Sequence, residues 1–168
     1  MPKFIRQGNN TLIGNNTFTG TNTFSGLLVA SGGVTGNVTG NVTGGITLPT
    51  EAVTAETEAV SASESGKVYV QTRSSTTCTF TLPAAAAGLT YTFVCGHADS
   101  EILITPQAGD AIVGKTHAAE NGTGIAPAAG TGIKNTAATN VVGDHCTLVA
   151  LDATTWYMTS VAGVWASQ

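Results

Sequence analysis

From Gly66 to the C-terminus, apolar and polar residues alternate in short runs punctuated by glycine and proline. Cys78, Phe80 and Leu82 share one phase, and Pro83 ends that run. Leu89, Tyr91, Phe93 and Cys95 share the next. Lys67–Gln71, Glu101–Thr105, Ala111–Val113, Asp144–Leu151 and Thr155–Ser160 read the same way, and Gly163-Val164-Trp165 closes the chain. A period of two places alternate side chains on opposite faces of an extended chain, so each run predicts a strand with one buried face. Residues 66–168 are therefore expected to form one all-β body, a β-sandwich or barrel. Lys115 to Ala138 is low in apolar residues and predicts a long loop with a short strand near Ile133.

A different pattern fills residues 1–48. Glycines fall at every sixth position, Gly8, Gly14, Gly20, Gly26 and Gly32, then at every fourth, Gly36, Gly40 and Gly44. Leu12, Phe18 and Phe24 each stand two residues before a glycine. Both periods are even, so Leu12, Phe18, Phe24, Leu28, Val34, Val38, Val42 and Ile46 fall on one face of an extended chain, opposite Thr, Asn and Ser. A lone strand of this kind would leave an open edge and a bare apolar face. Three copies wound round a threefold axis bury both, with glycine allowing close approach of the backbones. These eight residues are the candidate interface, with sister chains or with another protein. A single-chain β-helix and a flexible Gly/Thr/Asn linker are the competing readings. Residues 49–65 form a transition segment, a short helix or a solvated strand connection. In it Glu51, Glu56, Glu58 and Glu64 have no local basic partner.

Charge sharpens this division. Lys3 and Arg6 are the only charged residues before Glu51, and all ten acidic residues follow. A long uncharged stretch calls for a cover, from its own domain, sister chains or another protein. The net charge of −4 gives no electrostatic case for nucleic acid or an anionic membrane. The first residues lack the apolar core of a signal peptide, and no apolar run approaches the ~20 residues of a membrane span. Maturation in a cytoplasm is expected. Cys78, Cys95 and Cys146 are odd in number and lack metal-ligand spacing, so they read as small buried hydrophobes.

No catalytic constellation emerges, and no cofactor is implied. Phosphate-loop, nucleophile-elbow and zinc-protease motifs are missing from the sequence. His97-Ala98-Asp99 and Asp144-His145 place a carboxylate beside an imidazole, and turn or strand-end residues facing water are the simpler reading. A histidine near a threefold axis would become three, enough to hold a metal ion. The glutamates of residues 51–64 lack the glycine-turned spacing of a calcium loop. Trp156, Tyr157 and Trp165 are either a sugar platform or core and subunit contacts, the latter being commoner in a terminal hairpin.

Several stretches together resemble a known class of proteins. They are Glu64-Ser65-Gly66-Lys67, the run from Phe80 to Phe93, Gly109-Asp110-Ala111-Ile112, Gly143-Asp144 and Trp156-Tyr157. They are similar to small bacteriophage virion proteins, both head-decoration (cement) and fibre proteins. The Asn-Thr-Phe-Thr-Gly and Asn-Val-Thr-Gly units resemble the stems of trimeric phage fibres. The resemblance implies a non-enzymatic homotrimer. The expected function is capsid decoration: a trimer on the outer shell, bound to the major capsid protein and tying neighbouring capsid subunits together. The alternative is a short tail or head fibre module that recognises a host-surface glycan. Either places the protein in the virion, assembled in the host cytoplasm, with the arm toward the particle and the body toward solvent.

Overall fold

A computed structural model of the chain describes residues 47–74, 76–115, 124–125 and 130–168, with Thr19 and Thr21. The eight candidate interface residues from Leu12 to Ile46 lie outside the described residues, as does His117. The strands belong to a unit running from Gly45 to Gln168.

Alternation in the sequence is read out as strands with one buried face. The runs predicted above become β3 (Val68–Gln71), β4 (Cys78–Thr81), β5 (Thr90–Cys95), β6 (Ile102–Thr105), β7 (Ala111–Lys115), β10 (His145–Ala150) and β11 (Thr155–Ala162). Residues 49–65 supply β1 (Thr50–Val53), β2 (Thr57–Ala59) and a 3-10 turn at Ala62–Glu64. That turn is closed by a capping box, in which Ser61 and Glu64 satisfy each other's backbone N–H groups. The short strand expected near Ile133 is β9 (Ile133–Asn135). Two further strands are β8 (Gly124–Ile125) and β12 (Trp165–Ser167).

The protein is all-β, and its strands form two mixed sheets. The first runs β1-β3-β5-β10-β11-β7-β8 and the second β12-β9-β6-β4-β2. From β1 to β7 each strand crosses to the other sheet. Strands β1, β3 and β5 pair in parallel in the first sheet, and β2, β4 and β6 in the second. The chain thus coils between the layers. One full turn takes 24 residues where Val68 pairs with Thr92, and again where Cys78 pairs with Ile102. The coil ends when the antiparallel hairpin β10–β11 is inserted between β5 and β7.

The two inner faces share one core. Tyr69 and Phe93 of the first sheet stack at 5.6 Å between ring centroids, and Phe80 of the second meets Phe93 at 4.9 Å. Tyr91 and Trp156 extend the cluster, and Ile102, Ile104, Ile133, Leu148 and Trp165 fill it out, all buried. Buried aromatic pairs contribute roughly 0.5–1.5 kcal/mol each beyond the area they bury. Trp165 donates its indole N–H to the Ala162 carbonyl at 2.9 Å, which fixes β12 against the end of β11.

Cys78, Cys95 and Cys146 are unpaired and buried in this core. Burial pushes the Cys78 thiol up to about 11 and raises Cys95 and Cys146 as well. The nucleophile is the thiolate. The folded chain should therefore resist alkylation by iodoacetamide at neutral pH, and all three thiols should react after unfolding. Rapid labelling of the native protein would contradict the buried assignment.

Candidate functional site

The inward phase of each strand makes the core, so the opposite phase makes the outer faces. On the first sheet that phase is Val68 and Val70 of β3, Thr92 and Val94 of β5, and Thr147 and Val149 of β10. Thr92 and Thr147 lie opposite each other, their hydroxyls 2.9 Å apart. Tyr157 sits across from Val149 and Val113 and is 38% exposed. A bulge follows: Thr147 pairs with Ser160 but Leu148 with Met158, leaving Thr159 unmatched. The inner side of β7 has room for Met158 only because position 114 is glycine. A Cβ there would lie 2.6 Å from the Met158 Cβ.

A groove of about 220 Å³ opens on this face, lined by Leu48, Gly66, Lys67, Thr90, Tyr91, Thr92 and Thr147. Gly66 takes φ +92°, a conformation that other residues rarely adopt, and its missing side chain leaves the depression open. Leu48 forms one wall and is 53% exposed.

Lys67, at the margin of the groove, is the centre of a charge cluster. Its ammonium donates to Glu51 at 2.7 Å and to Glu64, and it stands 5.2 Å over the Tyr69 ring. The Tyr69 hydroxyl also donates to Glu64, at 3.0 Å. Two of the glutamates expected to have no basic partner, Glu51 and Glu64, thus share one in Lys67, and Glu56 lies 3.6 Å from Arg73. Strands β1 and β2 are the end strands of their sheets. Glu51 is opposite Tyr69 and Glu58 opposite Phe80, so both carboxylates fall in the inward phase. Inward-pointing charge on an edge strand discourages further strands from adding there.

The cluster sets its own pH response. Hydrogen bonds from Lys67 and the Ser61 N–H lower the Glu64 pKa, so its contribution is present above the unfolded value of 4.5 and lost as pH falls below it. Glu51 and Glu64 raise the Lys67 pKa, so its contribution is complete below 10.5 and lost at higher pH. Partial burial, then Glu51 and Glu64, raise Glu58 above 4.5, so its charged form opposes folding at neutral pH. Glu58→Gln should stabilise the body by a few tenths of a kcal/mol at neutral pH. In urea titrations the gain should vanish well below the carboxylate range. An equal gain at both pH values would contradict the assignment.

The Gly-Asp pairs singled out in the sequence are two copies of one turn device. Gly109 and Gly143 both take positive φ. Each is followed by an inward carboxylate that accepts backbone N–H groups. Asp110 accepts from Ala85 at 2.8 Å, and Asp144 from Val141 at 3.0 Å. Asp144 also accepts from the Asn135 side chain at 3.0 Å, and any Cβ at Gly163 would collide with it. Asp144 therefore points inward while His145, on the opposite phase, points out to Ser160 and the Gly143 carbonyl. Sequence neighbours here are not chemical partners. Asp144→Ala would strand the Asn135 and Val141 donors and should cost about 1.5–3 kcal/mol, read from chemical denaturation. An unchanged midpoint would show that these bonds hold nothing.

Neither protein-family models nor curated proteins give a match to this chain.

His97 and Asp99 lie 3.8 Å apart in an exposed turn. No group of three or more His, Cys, Asp or Glu side chains placed to hold a metal ion occurs among the described residues. No helix among them is long and apolar enough to cross a membrane. Trp156 and Trp165 are core residues, so of the three candidate platform aromatics only Tyr157 reaches the surface. The outer Thr/Val face was not singled out in the sequence, although its signal is there: it is the other half of the alternation that marks the core.

Proposed function

We propose that this chain is a capsid decoration (cement) protein of a bacteriophage, a homotrimer that binds the outer shell and ties neighbouring capsid subunits together. The carrying observation is the join of an arm that is uncharged from Gln7 to Leu48, and apolar in strict phase from Leu12 to Ile46, to an all-β region from Glu51 onward that carries every acidic residue. Such an arm has the features of a segment that becomes covered, by sister chains and by the major capsid protein through added strands. The body has the features of a segment that stays wet. Its conspicuous motifs serve turns, caps and core, which suits a structural role. The fibre-module alternative calls for an exposed aromatic cluster, and among the described residues Tyr157 stands alone in that respect.

The reading is tested with shells stripped of this protein. The full chain should co-sediment with them. A body comprising residues 49–168 should keep its β circular dichroism and bind at least ~100-fold more weakly, a loss of about 2.7 kcal/mol. Equal binding by the isolated body would overturn the orientation, with the arm then facing away from the particle.

A further inference from the structure

We propose that the outer face of the first sheet is the surface through which the bodies of neighbouring copies of this chain pack on one another. The inference deepens the trimer reading above and rests on it. It locates a second contact, in the body, beside the one expected in the arm.

Three observations carry it. First, β1, β3 and β5 are parallel, as are β7 and β11. All-parallel sheets normally have both faces covered, and three of the six strand pairs of this sheet are parallel. Here the core covers one face, and no other described element covers the second. Second, the face is nearly free of charge. Val68, Val70, Thr92, Val94, Thr147 and Val149 form its centre. Among the side chains described, the charged groups near it are His145 at one end and Lys67 at the other, Lys67 being held by Glu51 and Glu64, while Lys115 ends β7 at the far margin. Charged residues are depleted at the centres of protein interfaces and normal on open surfaces. An uncharged Thr/Val face complements a second copy of itself. Third, the size is adequate. Six strands about 4.8 Å apart and five residues long span a plane of roughly 25 Å by 16 Å. Side-chain relief brings its accessible area toward the roughly 800 Å² per partner of a standard interface. Tyr157 supplies an aromatic anchor on this face, and the groove beside Gly66 has room for one side chain of a neighbour.

Three such faces turned inward form a triangular prism about the threefold axis. Each Thr92–Thr147 pair then faces the next copy, and the acidic edge at Glu51, Glu58 and Glu64 stays at the margin.

The test is hydroxyl-radical footprinting of the full chain at a concentration where sedimentation velocity shows the oligomer. Val68, Val70, Val94 and Tyr157 should be oxidised at least fivefold more slowly in the oligomer than in the same chain diluted to monomer, with Val141 and Val142 little changed, each rate normalised to the unfolded chain. Val141 and Val142 are 62% and 63% exposed and lie off this face. Thr92→Glu should raise the oligomer's dissociation constant at least tenfold. Thr79→Glu, on the outer face of the second sheet, should leave it within twofold. An intact oligomer whose face is oxidised as readily as that of the diluted monomer overturns this inference and leaves the trimer reading standing. Equal effects of the two glutamates also overturn it. A wild-type monomer at that concentration overturns the trimer reading itself.

Discussion

Phe18→Asp combined with Phe24→Asp should convert the oligomer to monomer at micromolar concentration. Each substitution removes a phenyl ring whose burial is worth about 1.5–3 kcal/mol. Each also adds a carboxylate that, unpaired and buried, costs several kcal/mol even after relaxation. In a threefold stem every substitution counts three times round the axis, and like charges there repel. Sedimentation equilibrium should return the chain mass of 16.8 kDa for the double variant. The wild type should return three times that value. A double variant that remains trimeric at wild-type affinity would favour the flexible-linker reading of residues 1–48. Circular dichroism should retain the strand signal of the body, whose strands lie from Thr50 onward.

The second large effect is in the core. Phe93→Ala removes the ring that stacks on Tyr69 and tilts against Phe80, at the contact between the two sheets. A buried Phe→Ala costs about 3–5 kcal/mol through lost transfer energy and the cavity left behind. For a chain of this size each kcal/mol lowers the Tm by about 2–4 °C, so a fall of roughly 6–20 °C is expected in calorimetry. Tyr157→Ala, on the outer face, should change the stability of an isolated body by no more than about 0.5 kcal/mol. If the two variants had equal effects on the body, the division into inner and outer phases would be wrong.

That division was legible in the sequence because a strand has a period of two. Cys78, Phe80, Tyr91, Phe93 and Cys95 announced both their strands and their burial. Neighbour relations were not legible in the same way. Alternation tells a strand which face is wet but not which strand lies beside it, so parallel coiling between two sheets went unread. A weak sign existed at a spacing of 24 residues, where Tyr69 answers Phe93, Cys78 answers Ile102 and Phe80 answers Ile104. Polar side chains on the inner phase were harder still. Gln71 and Asn135 are fully buried, and their tolerance there depends on partners distant in sequence or set by the turn. Asn135 donates to Asp144 and to the Val164 carbonyl, and Gln71 donates to the Arg73 carbonyl. Lys67 likewise meets Glu51 across a parallel strand pair, which local sequence gives no reason to expect.

The candidate site divides along the same line. The in-phase residues Leu12, Phe18, Phe24, Leu28, Val34, Val38, Val42 and Ile46 were read from periodicity alone and lie outside the described residues. The outer Thr/Val face emerged only once the register aligned β3, β5 and β10. Trp156 and Tyr157 show how fine the distinction is. They are adjacent in the chain, yet one is in the core and the other on the surface. The Gly-Asp turns are legible as motifs, and their inward carboxylates explain why they serve architecture.

The proposal that this is a shell-decorating protein is tested most directly by counting its copies in purified particles, using isotope-labelled peptides from residues 66–168 as mass-spectrometric standards. The account predicts copies on the order of hundreds per particle, in a fixed ratio to the major capsid protein. A handful of copies would move the protein to a fibre, and particles that contain none would contradict the account outright.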